Sequence, residues 1–190
     1  MELNILASKS PRRKDLLNQI GFKFSVVDSQ FKEYKNNNVP PEALTETLAR
    51  EKALSVAKIY PNNIIIGADT IVTIENKILG KPKDENESFE MLNLISGKSH
   101  EVITGVAFIQ LSKNIDHTFN QQTIVTISDI SKKEISSYIE KYKPFDKAGS
   151  YGIQDGFSLY IKKLQGCYYN VMGLPIFEFF HNYKIVFRNF

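Results

Sequence analysis

Two acids and four cations are the groups in this chain that could do chemistry together: Asp69 and Glu33, with Arg12, Arg13, Lys52 and Lys81. Hard carboxylate oxygens hold Mg2+, and a set of ammonium and guanidinium groups neutralises the charge on phosphates, so these residue types are what phosphoryl chemistry asks of a protein. A carboxylate beside such a metal can also position or deprotonate an attacking water. Chain order alone does not bring the six together. Residue types define a site for an anionic, phosphate-like ligand and nothing narrower. Asp69 is the most telling of them, because it interrupts the apolar, β-branched run Asn63 to Val72. Such a run reads as a buried strand, where a carboxylate is costly unless a cation or hydrogen bonds hold it. A turn-capping acid, or one paired with a structural lysine, meets the same need, and both stay open beside a catalytic or metal role.

The elements that must position these groups follow from periodicity. Leu3 to Ala7 is a short apolar strand that leads through Ser8-Lys9-Ser10 into a helix marked by Leu16, Leu17 and Ile20. Ser10 suits its N-cap, Pro11 its first position, and Gly21 its stop. Arg12, Arg13 and Lys14 do not suit it, since the N-terminal end of the helix dipole is already positive. An anion bound at the helix start, met by backbone N–H groups and two guanidinium groups, resolves the conflict; a solvated basic turn is the plainer alternative. From Pro41 to about Tyr60 a second helix carries Leu44, Leu48, Val56 and Ile59 on one stripe. At about 100° per residue Lys52 falls in the centre of that stripe and Arg50 on the opposite side. Lys52 therefore either snorkels to the surface or faces a site.

Phe24 to Val27 reads as a strand, and Asp28 to Val39, with Glu33 in it, as a polar loop. Glu75-Asn76-Lys77 turns the central strand back into Ile78 and Leu79, ahead of the extended Lys81-Pro82-Lys83. Asp84 is the expected N-cap of a helix to Ile95, and Ser131 begins another to Tyr142. His100 to Ile109 and Thr123 to Ile127 read as strands joined by a polar connection, Ser112 to Gln122. Asp146 to Gly156 is a glycine-punctuated polar loop of the kind that lets backbone approach a ligand. Phe157 to Ile161 is the expected last strand, and Ile176 to Phe180 a short apolar helix. Ser96-Gly97-Lys98-Ser99 mimics the end of a phosphate-binding loop. It is rejected because Leu92 stands at the first glycine position and a helix precedes it where a strand should.

Composition narrows the function classes. The 190 residues are 42% hydrophobic and 24% charged, ordinary for one globular domain spanning 1–190, and a net charge of +3 is too mild for bulk nucleic-acid binding. Cys167 is the single cysteine, so no internal disulfide forms, and His100, His117 and His181 are scattered. That spacing speaks against a zinc site and against a Cys–His nucleophile. No charged-then-apolar leader and no apolar run of about 20 residues is present, so a cytoplasmic protein is expected.

Five segments, taken together, resemble the Maf family of nucleoside triphosphate pyrophosphatases. They are Leu6-Ala7-Ser8-Lys9-Ser10-Pro11-Arg12-Arg13; Leu48-Ala49-Arg50-Glu51-Lys52-Ala53; Gly67-Ala68-Asp69-Thr70 with Leu79-Gly80-Lys81-Pro82; Asp146 to Gln154; and Asn170-Val171-Met172-Gly173-Leu174-Pro175. The resemblance implies an α/β fold, with a long mixed β-sheet flanked by helices and two lobes around a central cleft, related to the inosine triphosphate pyrophosphatases. It implies cleavage between the α- and β-phosphates with Mg2+ or Mn2+, in a protein that is usually a homodimer. By the same resemblance Asp69 is the proton acceptor, Arg13, Lys52 and Lys81 are phosphate-contacting cations, and Glu33 is a metal-associated acid, with Asp69 the second metal candidate. Ser8, Asp146 and Lys147 join the substrate-binding set. Arg12, Thr70 and Gln154 match the specificity positions of the branch acting on dTTP and UTP, with modified pyrimidine nucleotides as further candidates. A Gln amide and a Thr hydroxyl can satisfy the carbonyls and the N–H of a uracil-type edge. Lys32 departs from the family at the position before Glu33, where an acid is common; Cys167 and Ile127 depart in ways that read as packing changes. The family's link to septum formation leaves a regulatory protein, acting through a partner or nucleic acid, as the alternative of a different class.

Overall fold

The computed structural model describes residues 4–32 and 39–187. Glu33 lies outside them. The chain divides into two compact units. The first comprises Met1–Thr70, Thr104–Gln121 and Gly173–Phe190, and the second Ile71–Ile103 and Gln122–Met172. In chain order the strands are β1 (Asn4–Leu6), β2 (Phe24–Val26), β3 (Ile64–Ile74), β4 (Lys77–Leu79), β5 (Ser99–Gln110), β6 (Ile115–Ile127) and β7 (Ile161–Gln165). The helices are α1 (Pro11–Gln19), α2 (Pro41–Ala57), α3 (Glu85–Ile95), α4 (Lys132–Tyr142), α5 (Tyr168–Met172) and α6 (Ile176–Phe187). The strands form one seven-stranded sheet in the order β2-β1-β3-β5-β6-β7, with β4 paired to β3. β1 runs parallel to β2 and β3, whereas β3–β4 and β6–β7 are antiparallel, so the sheet is mixed.

In the first unit the close seating of α2 on the sheet matters most. Ala49, Ala53 and Ala57 recur every fourth residue on one helix face and pack with Ile5, Ile65, Ala107 and Ile109. Opposite them the strands carry glycine. A β-carbon on Gly67 would collide with the Ala49 carbonyl oxygen and lie 2.9 Å from Ala53 Cβ, and one on Gly105 would collide with the Thr45 backbone. Small residues on both sides thus bring the helix backbone almost onto β3 and β5. An aromatic cluster closes the same unit, where Phe108 meets Phe179, Tyr183 and Phe187 edge to face.

In the second unit a two-residue turn, Glu75-Asn76, joins β3 to β4 with φ of 50° and 61°, the left-handed pair a tight hairpin requires. The Asp84 side chain caps α3 by accepting from Glu87 N, and Ser131 and Glu134 form a full capping box on α4.

Four expectations are corrected. The polar stretch through Gln122 is not a connection, because β6 starts at Ile115. Its polar side chains have polar partners: Asp116 pairs with Arg50, Thr118 and Asn120 donate to Glu46, and His117 bonds Asn182. Phe157 to Tyr160 is a 3-10 turn capped by the Asp155 carboxylate, which pushes the last strand on to Ile161–Gln165. Ile59 lies beyond the end of α2 and is 62% exposed, so it is not part of the buried stripe. The last helix continues seven residues past the expected Phe180, to Phe187, since the aromatic cluster gives its later turns something to pack on.

His100 generates the first prediction. It is 2% exposed, its Nε2 is 2.8 Å from the Tyr151 hydroxyl, and burial pushes its pKa from 6.5 down to about 4. As pH falls through that interval the unfolded chain takes up a proton that the folded chain refuses. Stability is therefore full above pH about 6.5 and drops by on the order of 3 kcal/mol by pH about 4. Urea unfolding at stepped pH should show this slope, and a His100→Leu variant should lack it.

Candidate functional site

Among the residues singled out from the sequence, Ser8, Arg12, Arg13, Lys52, Asp69 and Thr70 belong to the first unit. Asp69 is 6% exposed and Lys52 9%, and Lys52 Nζ stands 2.5 Å from Asp69 Oδ1. The partner that the strand acid required is thus the inward lysine of α2, delivered by the alanine–glycine contact that draws the helix onto β3. Arg50, on the opposite face, makes a bidentate pair with Asp116 instead, Nε to Oδ1 and a terminal nitrogen to Oδ2, which raises its pKa.

Arg13 resolves the crowding of cations at the start of α1. It is 8% exposed and turned inward. Its Nε donates to the Gly173 carbonyl at 2.8 Å, one terminal nitrogen to Ser8 Oγ at 3.2 Å, and the other to Thr70 Oγ1 at 2.9 Å. One planar fork therefore ties the β1–α1 loop, β3 and the segment before α6 together. Arg12 is half-buried and Lys14 exposed. Ser10 stands at the N-cap with Pro11 after it, as expected, but its side chain makes no capping bond, and Ser8 Oγ instead accepts from Ser10 N at 3.2 Å. The Thr70 hydroxyl also pairs with Thr104 Oγ1 at 3.0 Å.

Lys81, Asp146, Lys147 and Gln154 belong to the second unit. Lys81 is exposed, and Gly80, before it, accepts from Gly149 N at 3.1 Å, so its segment is fastened to the glycine-punctuated loop. Asp146 and Lys147 pair at 2.8 Å. Three buried side chains hold the loop. Ser88 bonds Ser150 at 2.5 Å, His100 bonds Tyr151, and the Tyr138 hydroxyl donates to Asp155 at 3.0 Å while accepting from Gly152 N at 3.1 Å. Burial raises the pKa values of Tyr138 and Tyr151 far above the ordinary phenol range, so both hydroxyls stay protonated. Ser150 adopts φ of 63°, a left-handed conformation unusual for a residue with a side chain. Gln154 is exposed on this frame.

Sequence reasoning missed Thr104, Ser88 and Tyr138. Thr104 was legible only as the single hydroxyl between Ile103 and Gly105 in an apolar strand, and Tyr138 as one more member of a helix stripe. As for a metal, no group of three His, Cys, Asp or Glu side chains clusters among the described residues. Asp69 supplies one buried carboxylate, which fits Mg2+, an ion commonly held by one or two carboxylates together with water and substrate phosphates.

The profile of the family described as "Maf-like protein" matches residues 4–184. The chain belongs to that family. The Maf-like match takes in Ser8, Arg12, Arg13, Lys52, Asp69, Thr70, Lys81, Asp146, Lys147 and Gln154 alike. A protein of Bacillus pumilus strain SAFR-032 named dTTP/UTP pyrophosphatase is 49% identical over 172 residues, 90% of each chain. One of the same name from Carboxydothermus hydrogenoformans is 45% identical over 171 residues, 90% of this chain and 91% of the other. Among solved structures, the Staphylococcus aureus Ham1 protein is 13% identical, covering 67% of this chain and 73% of that one, at a TM-score of 0.43.

The Lys52–Asp69 pair gives a stability prediction. Lys52→Met leaves a buried carboxylate without its cation and should cost about 3 kcal/mol or more. Asp69→Asn keeps an amide oxygen to accept from Lys52 and should cost less. Denaturant midpoints of the two variants at pH 7 check the order.

Proposed function

We propose that this Maf-like chain is a nucleoside triphosphate pyrophosphatase that hydrolyses dTTP and UTP, and modified pyrimidine nucleotides of similar shape, to the monophosphate and pyrophosphate. The observation that carries the proposal is the buried Lys52–Asp69 pair, in a chain nearly half identical over most of its length to proteins named for that reaction. Water attacks the α-phosphorus, the bond to the oxygen bridging to the β-phosphate breaks, and pyrophosphate departs with the electron pair.

Asp69 is assigned as proton acceptor for the water. Lys52 holds Oδ1 and so fixes the carboxylate's orientation, leaving Oδ2 outside that bond. Asp69 and Glu33 are the residues that would hold Mg2+ or Mn2+, which when bound withdraws charge from the phosphate oxygens. Arg12 and Thr70 are assigned to the base and Ser8 to the phosphates, with Arg13 bracing Ser8 and Thr70 as well as carrying charge. Lys81, Asp146, Lys147 and Gln154 are assigned as further substrate contacts. Among the described residues no helix is long and apolar enough to cross a membrane; a cytoplasmic homodimer completes the proposal.

The purified protein should release pyrophosphate from dTTP and UTP in a panel that includes ATP, GTP and CTP, should stop when EDTA removes divalent ions, and should resume with Mg2+ or Mn2+. Orthophosphate as first product, or silence towards every pyrimidine triphosphate, overturns the proposal.

Asp69→Asn should fold with an unchanged circular dichroism spectrum and lose about a hundredfold or more in kcat. Turnover near that of the parent would remove Asp69 from the mechanism.

A further inference from the structure

The Thr70 hydroxyl has one hydrogen and two lone pairs, and the structure shows how they are shared. Ten of the eleven residues of β3 are buried; Thr70 alone is partly open to the surface. A guanidinium can only donate, so the bond from Arg13 at 2.9 Å takes one lone pair of Thr70 Oγ1. The second partner is Thr104 Oγ1, 3.0 Å away and fully buried on β5. Two arrangements exist. With Thr70 donating to Thr104, Thr70 offers the open side a lone pair. With Thr104 donating, both lone pairs are filled by protein and the hydrogen of Thr70 is the only thing left to offer.

We infer that Thr104 is a positioning residue for specificity: it donates to Thr70 and thereby makes the Thr70 hydroxyl a fixed donor towards a base carbonyl. The inference rests on the pyrimidine reading above. A uracil or thymine edge presents an oxygen where cytosine presents an amino group, so a fixed donor accepts the first and sets donor against donor for the second. Arg13 makes the device one-way. Because the guanidinium cannot accept, Thr70 cannot satisfy it by turning its hydrogen, and the direction of the Thr104 bond decides between donor and acceptor. Thr104 acts through Thr70 and touches no reacting atom.

The test compares kcat/KM for UTP and CTP, by pyrophosphate release, in the parent chain and in Thr104→Val, Thr104→Ala and Thr104→Ser. Valine keeps the volume and removes the hydroxyl, which frees Thr70 to accept as well as donate. The UTP-to-CTP ratio should fall roughly tenfold in the valine and alanine variants and stay within about threefold of the parent in the serine variant, which restores the donor. Thermal unfolding of each variant separates this from damage to the fold, and if valine is not accommodated the alanine and serine pair carries the comparison. The double variant Thr70→Val with Thr104→Val should show the same ratio as Thr70→Val alone, since Thr104 acts only through Thr70. A ratio unchanged on losing the Thr104 hydroxyl overturns the inference while leaving the pyrophosphatase reading intact. A parent chain that releases no pyrophosphate from UTP overturns both.

Discussion

A carboxylate inside a sheet is costly to keep charged unless a cation or hydrogen bonds hold it, and the first unit supplies a cation. Lys52 reaches Asp69 because α2 can lie against the strands with nothing between, Ala49 and Ala53 on Gly67 and the Thr45 backbone on Gly105. Had α2 carried leucines at those positions, the helix axis would stand farther off, by the depth of a side-chain layer, and the ammonium would miss the carboxylate. The pair is less a source of stability than a constraint on geometry, because desolvating two charges roughly offsets their attraction. Its value is that it fixes one oxygen of Asp69 in place.

The second unit solves a different problem, that of holding an irregular loop still. A loop rich in glycine and polar groups loses much conformational freedom on ordering. Here the loss is met by side chains reaching up from beneath: Ser88 from α3, His100 from β5 and Tyr138 from α4. Each bond is buried, where leaving a partner unmatched is costlier than at the surface. The strained Ser150 is itself held by Ser88 and is followed directly by Tyr151, which His100 holds, and a residue in that conformation persists when its neighbours over-determine it.

Much of this was legible in the residues. The 3.6-residue period puts Lys52 on the buried face of α2, and the cost of burying Asp69 calls for a cation or hydrogen bonds; the structure joins the two in one ion pair. The caps at Asp84 and Ser131 and the turn at Glu75-Asn76 follow from local rules and appear as expected. What failed was where tertiary partners override local pattern. The polar residues of β6 look like a loop until Glu46, Arg50 and Asn182 are seen to satisfy them. The arginine pair at the start of α1 looked alike in sequence, yet Arg13 is buried and tied to a carbonyl 160 positions later, which no local rule reaches. Thr104 gave only a weak signal, a single hydroxyl in an apolar strand, and one threonine in a β-strand is unremarkable.

Gly67 has a consequence for how this sequence can drift. It carries no functional atom, and its absent side chain is what lets α2 come to rest where it does. Any replacement there would act at a distance of one helix layer, displacing the ammonium from the acid while leaving both residues in the chain. The protein could thus keep every chemically active side chain and still lose its site, so a tally of active residues in a related chain says little unless the empty space beside them is kept too.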